Sequence, residues 1–147
     1  MTPGARELHE TVERRLHRVG QRYTANRRAL VDALVRARGP VSVGDILIGR
    51  HAVPQSSAYR NLAALEQAGV IRRVITDDDF SRFELDEGLT EHHHHLVCSN
   101  CGRIEDVAIP ASVERSIGRT FDRLAKGAGF ASAGHRLDLI GRCRSCA

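Results

Sequence analysis

The sequence predicts an α+β fold in two parts, a basic helical part followed by a smaller α/β part that holds metal. Helical periodicity fills the first 70 residues and a hairpin pattern follows it, whereas all four cysteines lie in the last third of the chain. Residues 1–75 contain 13 arginines, no lysine and six acidic residues, a net charge of +7; residues 76–147 contain nine basic and 12 acidic residues, a net charge of −3. This division predicts two domains with different partners, a polyanion for the first and a metal ion for the second.

Length and composition narrow the class of protein. The 147 residues suffice for one domain or two small ones, so we do not expect a large multidomain enzyme. Hydrophobic residues make up 41% and charged residues 27% of the chain, which is typical of a globular protein. No apolar run approaches the roughly 18 residues of a membrane span, and the polar N-terminus lacks the apolar segment of a secretory signal. We therefore expect a cytoplasmic protein that does not contact membranes.

Four helices are expected in the first part. The spacing of apolar residues predicts them over residues 12–19, 26–38, 43–49 and 54–69. Thr24 and Ser42 are suited to cap the second and third helices, and Pro54 to open the fourth, where its missing N–H has no helical partner in any case. The polar residues 1–10 are expected to be disordered.

A hairpin is expected directly after these helices. Residues 70–75 and 80–85 are rich in β-branched and aromatic side chains, and an acidic turn separates them. Helices followed by a hairpin form the order of a winged helix-turn-helix domain, which binds DNA. Because the turn carries Asp77, Asp78 and Asp79, phosphate should repel it. The wing should then stay off the DNA backbone or hold it only through its basic residues, Arg72, Arg73 and Arg82.

The fourth helix has two faces of different character. Ala58, Leu62 and Leu65 form an apolar stripe, and the opposite face carries the polar residues Gln55, Ser56, Tyr59 and Arg60. Such donors near a helix N-terminus can contact phosphates and base edges in a major groove. A merely solvated helix face would have the same composition, so this segment alone leaves both interpretations open.

The four cysteines form two Cys-x-x-Cys pairs, Cys98 with Cys101 and Cys143 with Cys146, separated by 41 residues. Two such pairs can place four thiolates around one tetrahedral Zn²⁺. Because a closed shell of four sulfurs leaves no position for water, the site would be structural. Disulfides are disfavoured in a cytosolic chain, and a thioredoxin-like redox site needs only one pair.

Four consecutive histidines precede the first cysteine pair. Leu96 and Val97 favour a strand here, and neighbouring side chains of a strand point to opposite faces. His92 and His94 should therefore share one face, and His93 and His95 the other, so the run predicts two distinct metal sites, each completed from elsewhere. A low-complexity tract that binds metal loosely is the alternative. Further donors are available from both parts of the chain: Glu84, Glu105, Asp106, Glu114 and His135.

One helix and one further strand are expected to carry two of these donors. A helix is predicted over about residues 111–127, with Glu114 in its first turn and a buried apolar stripe of Val113, Ile117, Phe121 and Leu124. A strand is predicted over residues 135–141, with His135 at its start.

These motifs, taken in order, resemble the ferric uptake regulator (Fur) family. The resemblance rests on the segments 22–30, 57–62, 69–71 and 92–102, with His135 and the second cysteine pair. It implies a homodimeric, metal-dependent repressor that binds a double-stranded DNA operator. It also implies a winged-helix domain over residues 1–85, a hinge over 86–91, and an α/β dimerisation domain over 92–147.

The resemblance also implies which residues act. The structural zinc would be held by Cys98, Cys101, Cys143 and Cys146. The regulatory metal would be held by Glu84, His93, His95 and Asp106. A further metal would be held by His92, His94, Glu114 and His135. DNA would be contacted by Arg22, Ser56, Ser57, Tyr59 and Arg60.

The sequence departs from the family pattern at the regulatory site. Many members place a histidine before the third helix, where this chain has Pro40, and zinc-sensing members use a hinge cysteine, which this chain lacks. His51 or Asp86 could substitute for the missing ligand. Arg72 occupies the position where zinc-sensing members often have an aspartate. Nitrogen and oxygen ligands suit Fe²⁺, Mn²⁺, Ni²⁺ or Zn²⁺, and affinity order alone does not choose among them.

A zinc enzyme and a zinc-ribbon module are two other classes of protein that contain cysteine pairs of this kind. A zinc hydrolase or deaminase needs an open metal position and a general-base glutamate, and the chain has no His-x-Glu sequence before a Pro-Cys-x-x-Cys pair. We therefore do not expect an enzyme. A zinc-ribbon interaction module without metal sensing remains the alternative, and the winged-helix pattern speaks against it.

Overall fold

The computed structural model describes residues 4–48, 53–78 and 80–147, and it divides the chain into two compact units, Met1–His92 and His93–Ala147. The predicted α+β fold is confirmed, with four α-helices and a wing in the first unit and three strands with one helix in the second. Within the described residues, no helix combines the length and apolar character that crossing a membrane requires.

The first unit begins with a helix that the sequence analysis placed too late. Helix α1 spans Ala5–Arg18, so the predicted disorder of residues 1–10 is wrong for the part described. Leu8 is 6% exposed and extends the buried stripe of Val12 and Leu16 by one turn, which explains why the helix starts earlier. The polar composition of residues 5–10 concealed this single apolar position.

The remaining helices of the first unit follow the prediction closely. They are α2 (Ala25–Arg36), α3 (Val43–Leu47) and α4 (Gln55–Gln67). The Thr24 side chain accepts a hydrogen bond from the Arg27 N–H, and Ser42 forms a capping box with Asp45, so both predicted caps are confirmed. Pro54 occupies the N-cap position of α4. The predicted end of α3 at residue 49 lies outside the described residues.

The wing is a three-stranded antiparallel sheet. Strands β1 (Val41–Ser42), β2 (Ile71–Val74) and β3 (Arg82–Leu85) are arranged in the order β1-β3-β2, and a single 3-10 turn follows at Glu87–Leu89. The register pairs Arg72 with Glu84 across β2 and β3. One apolar core joins the helices to the wing, and its largest fully buried side chains are Phe83, Leu16, Leu30, Leu62, Leu65, Val12, Val31 and Val70.

The second unit is a small sheet with one helix. Strands β4 (His94–Cys98), β5 (Ile104–Val107) and β6 (Asp138–Gly141) lie in the order β5-β4-β6, with β4 antiparallel to β5 and parallel to β6. The predicted last strand began at His135, but the observed strand begins three residues later. The helix α5 spans Ala111–Gly127, as predicted.

The predicted burial of the apolar stripe on α5 is wrong for the single chain. None of its residues is buried; Val113 is 46% exposed and Leu124 64%. Ile117 and Phe121 are half-buried, so the amphipathic pattern predicted the helix without predicting how completely its apolar face is covered. Leu139 and Ile140 of β6 are exposed as well.

Candidate metal centres and nucleic-acid face

The four cysteines converge at one end of the second unit. Cys98 ends β4, a turn brings Cys101 back beside it, and a second turn after β6 carries Cys143 and Cys146. The four sulfur atoms all lie within 4.8 Å of one another, and the Cys101 and Cys143 sulfurs are 3.7 Å apart. Tetrahedral Zn²⁺ with Zn–S bonds of about 2.3 Å separates its sulfurs by about 3.8 Å, so this set fits a zinc ion. None of the four forms a disulfide.

Backbone hydrogen bonds stabilise the thiolate form of one cysteine, Cys98. Backbone N–H groups of Cys101, Cys143 and Asn100 point at the Cys98 sulfur and lower its pKa to about 6, so this thiol is ionised at neutral pH. The Cys101 thiol behaves in the opposite way. A backbone hydrogen bond from Arg103 favours its thiolate, but the neighbouring cysteines and burial outweigh that bond and raise its pKa to about 11. Four thiolates therefore need a cation to coexist.

Two histidines of the run form a cluster with one carboxylate on β5. Strand register places His95 opposite Asp106, and a single Asp106 oxygen, Oδ1, lies 3.7 Å from His93 Nε2 and 3.8 Å from His95 Nε2. Ligand atoms of the three residues all lie within 4.8 Å of one another. Two imidazoles and a carboxylate at this separation are a suitable donor set for a divalent transition metal.

Asp138 is a further candidate for this site that was not predicted from the sequence. Its Oδ1 lies 3.1 Å from His95 Nδ1, the ring nitrogen that faces away from Asp106. A carboxylate on the second nitrogen of a ligating histidine fixes its tautomer and orientation. The available signal was a lone acid inside the apolar segment of β6, but only the parallel register of β4 with β6 places it at His95.

A second donor group forms around Glu114. The observed strand begins at His94, so His92 and His93 lie outside it, and alternation along β4 separates only His94 from His95. His94 Nε2 lies 2.8 Å from Glu114 Oε2, and His135 Nε2 lies 2.7 Å from Glu114 Oε1, so one carboxylate of α5 meets two imidazoles. The two imidazole rings stack with centroids 5.4 Å apart, and Phe121 packs edge-on against His135. His94, Glu114 and His135 thus form a second compact group of nitrogen and oxygen donors.

The other two predicted ligands belong to the first unit. Glu84 lies on β3, is 6% exposed, and accepts a hydrogen bond of 2.6 Å from Arg72 Nε. His92 closes the unit, and its Nδ1 lies 3.3 Å from Glu87 Oε2. Asp86, considered as a substitute ligand, instead accepts hydrogen bonds from Arg15 and from the Gly88 N–H. The other candidate, His51, lies outside the described residues.

The predicted DNA-contacting residues line the exposed side of the first unit. Ser56, Tyr59 and Arg60 lie on the exposed face of α4, with Tyr59 52% exposed, and Ser57 is half-buried. Arg22 is exposed just before α2. Arg27, not predicted, braces this region because it donates to the Arg22 carbonyl at 2.6 Å and to Asn61 Oδ1 at 3.0 Å.

Comparisons with known proteins agree with this architecture. The profile of the Ferric uptake regulator family matches residues 18–140. The peroxide operon regulator of Bacillus subtilis (strain 168) is 31% identical over 97% of this chain and 94% of its own length. A structure of the Helicobacter pylori ferric uptake regulator covers 98% of this chain and 94% of that one, with a TM-score of 0.76 and 23% identity, and shows the shared fold.

A structure of a zinc-bound manganese uptake regulator is 28% identical to this chain, covers 90% of it and 98% of its own chain, and has a TM-score of 0.63. The family profile covers most of the chain, and the B. subtilis likeness extends over nearly all of it. This chain is therefore a member of the ferric uptake regulator family.

Proposed function

We propose that this chain is a metal-responsive transcriptional repressor that binds its DNA operator as a homodimer when a divalent metal occupies its regulatory site. The observation that carries the proposal is the presence of two separate donor groups, His93 and His95 around Asp106, and His94 and His135 around Glu114. The names of two relatives, a peroxide operon regulator and a zinc-bound manganese uptake regulator, support regulation by metal or by metal-linked chemistry.

We assign the regulatory site to Glu84, His93, His95 and Asp106. Two imidazoles and two carboxylates suit Fe²⁺, Mn²⁺, Ni²⁺ or Zn²⁺, and a bound divalent ion would balance the charge of both carboxylates. Three of these ligands belong to the second unit and Glu84 belongs to the wing strand β3. Joint ligation would therefore fix the wing relative to the dimerisation domain through the hinge over residues 86–91.

We assign different roles to the other two groups of metal-binding side chains. The four cysteines would hold Zn²⁺ permanently because their closed sulfur shell leaves no open position. His94, Glu114 and His135 would hold a further metal together with His92, on the opposite face of β4 from the regulatory pair. Loss of this further metal should affect the stability of the second unit more than it affects the switch.

The exposed apolar residues of the second unit support dimerisation. Leu124, Leu139 and Ile140 are each more than 60% exposed in the single chain, which is unfavourable for large aliphatic side chains in water. A twofold interface would cover them in both copies at once. The two α4 helices of such a dimer would then face successive half-sites of the operator, with Ser56, Ser57, Tyr59 and Arg60 toward the DNA and Arg22 on the backbone.

The switch then follows from differential binding. Ligation of Glu84 together with His93, His95 and Asp106 would favour the form that binds the operator, and the metal's preference for that form would set the gain in DNA affinity. Because an imidazole must be neutral to ligate, the response should weaken at acid pH.

Operator binding under buffered metal tests this function. DNA would first be selected from a random pool with the Mn²⁺-loaded protein, and its affinity then measured with a chelator that spares the structural zinc and with each of the four ions. We expect tight binding only with metal, and loss of that response in a His93→Ala, His95→Ala double variant. The exposed α1 histidine provides a matched control, His17→Ala, which should respond like the wild type. Metal-independent operator binding would disprove the proposal and favour a zinc-ribbon module that does not sense metal.

A further inference from the structure

Arg72 connects two acidic residues of the first unit. Its Nε lies 2.6 Å from Glu84 Oε1, and its Nη2 lies 3.2 Å from Glu87 Oε1. The second oxygen of Glu87 in turn lies 3.3 Å from His92 Nδ1. A series of contacts, Glu84–Arg72–Glu87–His92, therefore joins two first-unit residues that we assign to different metal sites. Glu84 belongs to the regulatory site and His92 to the further metal site.

This ion pair is enforced by strand register and burial. Arg72 and Glu84 are directly opposite on β2 and β3, and their side chains are only 12% and 7% exposed. A carboxylate buried to this degree needs a positive partner, because an uncompensated buried charge is strongly destabilising. Burial alone would lower the pKa of Arg72, but the charges and hydrogen bonds of Glu84 and Glu87 outweigh it and raise the pKa, so the guanidinium stays charged.

We propose that Arg72 is the built-in counter-cation of Glu84 and thereby sets the concentration of divalent metal at which the regulatory site fills. This inference rests on the function proposed above, since it takes Glu84 as a ligand of that site. Arg72 is a tuning residue that acts through Glu84 and contributes no donor atom of its own, because a guanidinium cannot ligate a cation.

Electrostatics gives the direction of the effect. A cation that shares the Glu84 carboxylate with a positive guanidinium is repelled by it and receives less of the carboxylate's charge. The metal-free protein, in contrast, is stabilised by Arg72, because the guanidinium balances a buried carboxylate. Both effects favour the metal-free form, so removing the guanidinium should strengthen metal binding and weaken the metal-free fold.

Glu87 opposes Arg72 within the same network. Its carboxylate offsets part of the guanidinium charge and also contacts His92. Neutralising Glu87 therefore leaves Arg72 more positive toward Glu84, and the expected change in metal affinity has the opposite sign. Two substitutions within one ion network with opposite expected signs separate a charge effect from general damage to the wing.

The test uses the zinc-containing full chain, Mn²⁺ as the probe, and Arg72→Gln with Arg73→Gln as its matched control. Arg73 is the next residue of β2, and its substitution makes the same change in net charge. Its ion pair with Glu66 is more exposed, with 46% of the Arg73 side chain and 36% of the Glu66 side chain accessible. We expect Arg72→Gln to lower the calorimetric Kd for Mn²⁺ tenfold or more and to lower the melting temperature of the metal-free form. Arg73→Gln should leave the Kd within about twofold.

Glu87→Gln should raise the Kd several-fold, which keeps the test valid if Arg72→Gln folds poorly. An unchanged or raised Kd in Arg72→Gln, or a lowered Kd in Glu87→Gln, would overturn the inference while Mn²⁺ still binds the wild type. If the wild type bound no Mn²⁺ that the His93→Ala, His95→Ala variant lost, the proposed function would fail, and the inference with it.

Discussion

Arg82 holds Asp78 through both terminal nitrogens, with Nη1–Oδ1 and Nη2–Oδ2 distances of 2.7 Å each. The Thr76 hydroxyl donates to the same Oδ1 at 2.6 Å, and Arg82 also donates to that hydroxyl. The wing tip is therefore an internal ion pair as well as an acidic turn. From the sequence, Arg82 was a candidate phosphate contact and the three aspartates one repelling group. In the structure, Arg82 is paired with Asp78.

Asp78→Asn should loosen the wing, because it removes the charge that holds Arg82 across the hairpin. We expect faster amide hydrogen exchange in β2 and β3, with little change in the helical core. Hydrogen bonds from Arg82 and Thr76 lower the pKa of Asp78 below its ordinary 3.8, so this contribution is complete above about pH 4 and is lost only as the pH falls below that value. Exchange measured at pH 7 therefore reports the full effect.

The exposed neighbour Asp77 provides the control for that experiment. Asp77→Asn removes the same charge from the turn, but Asp77 forms no ion pair with the residues that the structure describes, so exchange in β2 and β3 should stay at the wild-type rate. Its operator affinity should increase, because one phosphate-repelling charge is gone. Equal exchange rates in the two variants would show that the Asp78 pair does not order the wing. The third aspartate, Asp79, lies outside the described residues.

Local patterns predicted much of the fold and of the metal groups. The bounds of α5, the caps at Thr24 and Ser42, and the hairpin depend on neighbours in sequence, and each was predicted correctly. The separation of His94 from His95 needed only the alternation of a strand. These features were accessible because the forces that fix them act over a few residues.

Features that depend on strand register or on a packing partner could not be predicted from the sequence. The pairing of Arg72 with Glu84 requires the alignment of two strands, and the position of Asp138 at His95 requires a parallel pairing across 43 residues of chain. The apolar stripe of α5 predicted burial, but Ile117 and Phe121 are only half-buried, and Val113 and Leu124 are exposed. Sequence periodicity reports that a face is apolar without identifying the surface that it meets.

Glu114→Gln should abolish metal binding at the group formed with His94 and His135. Glu114 supplies both of the carboxylate oxygens that meet the two imidazoles, at 2.8 and 2.7 Å, and an amide is a much weaker ligand than a carboxylate. We expect one fewer equivalent of Zn²⁺ per chain by calorimetry, with the cysteine-bound zinc retained. Glu105→Gln is the matched control, because Glu105 pairs with Arg103 at the surface. A wild-type stoichiometry in Glu114→Gln would contradict a metal site at this group.

Removal of the structural zinc should unfold the second unit selectively. The structure describes all of residues 93–147, and Cys98 is the only buried hydrophobic residue among them. This unit therefore lacks an aliphatic core of its own. Metal binding then supplies folding free energy directly. We expect Cys98→Ser to lose zinc by elemental analysis and to lose hydrogen-exchange protection in β4, β5 and β6, while α2 and α4 keep theirs. Retained protection in β4 without zinc would contradict this dependence.

The Cys98 thiol also gives this site a defined pH response. Because backbone N–H groups lower its pKa to about 6, the stripped and reduced protein carries one thiolate ready for metal above that pH and loses it below. The ultraviolet absorbance of thiolate in the stripped protein should therefore show a step with a midpoint near pH 6, and a Cys98→Ser variant should lack this step. A titration whose first thiolate step lies near pH 9, the ordinary value for a thiol, would show that the backbone N–H groups do not activate Cys98.

Gly88→Ala should destabilise the first unit by dislodging Arg15. A Cβ at Gly88 would lie 2.6 Å from Arg15 Nη2 and 2.9 Å from Asp86 Oδ1, and Arg15 is held in place by Asp86 and by the Gly69 carbonyl. We expect a loss of about 1 kcal/mol in the free energy of unfolding, measured by thermal denaturation of the metal-free protein. Gly44→Ala is the control within the same unit, because its Cβ would meet only Ser42 Oγ at 3.7 Å and alanine favours α3. Opposite signs are expected for the two variants; stabilisation by Gly88→Ala would show that Arg15 does not anchor the segment from Asp86 to Gly88.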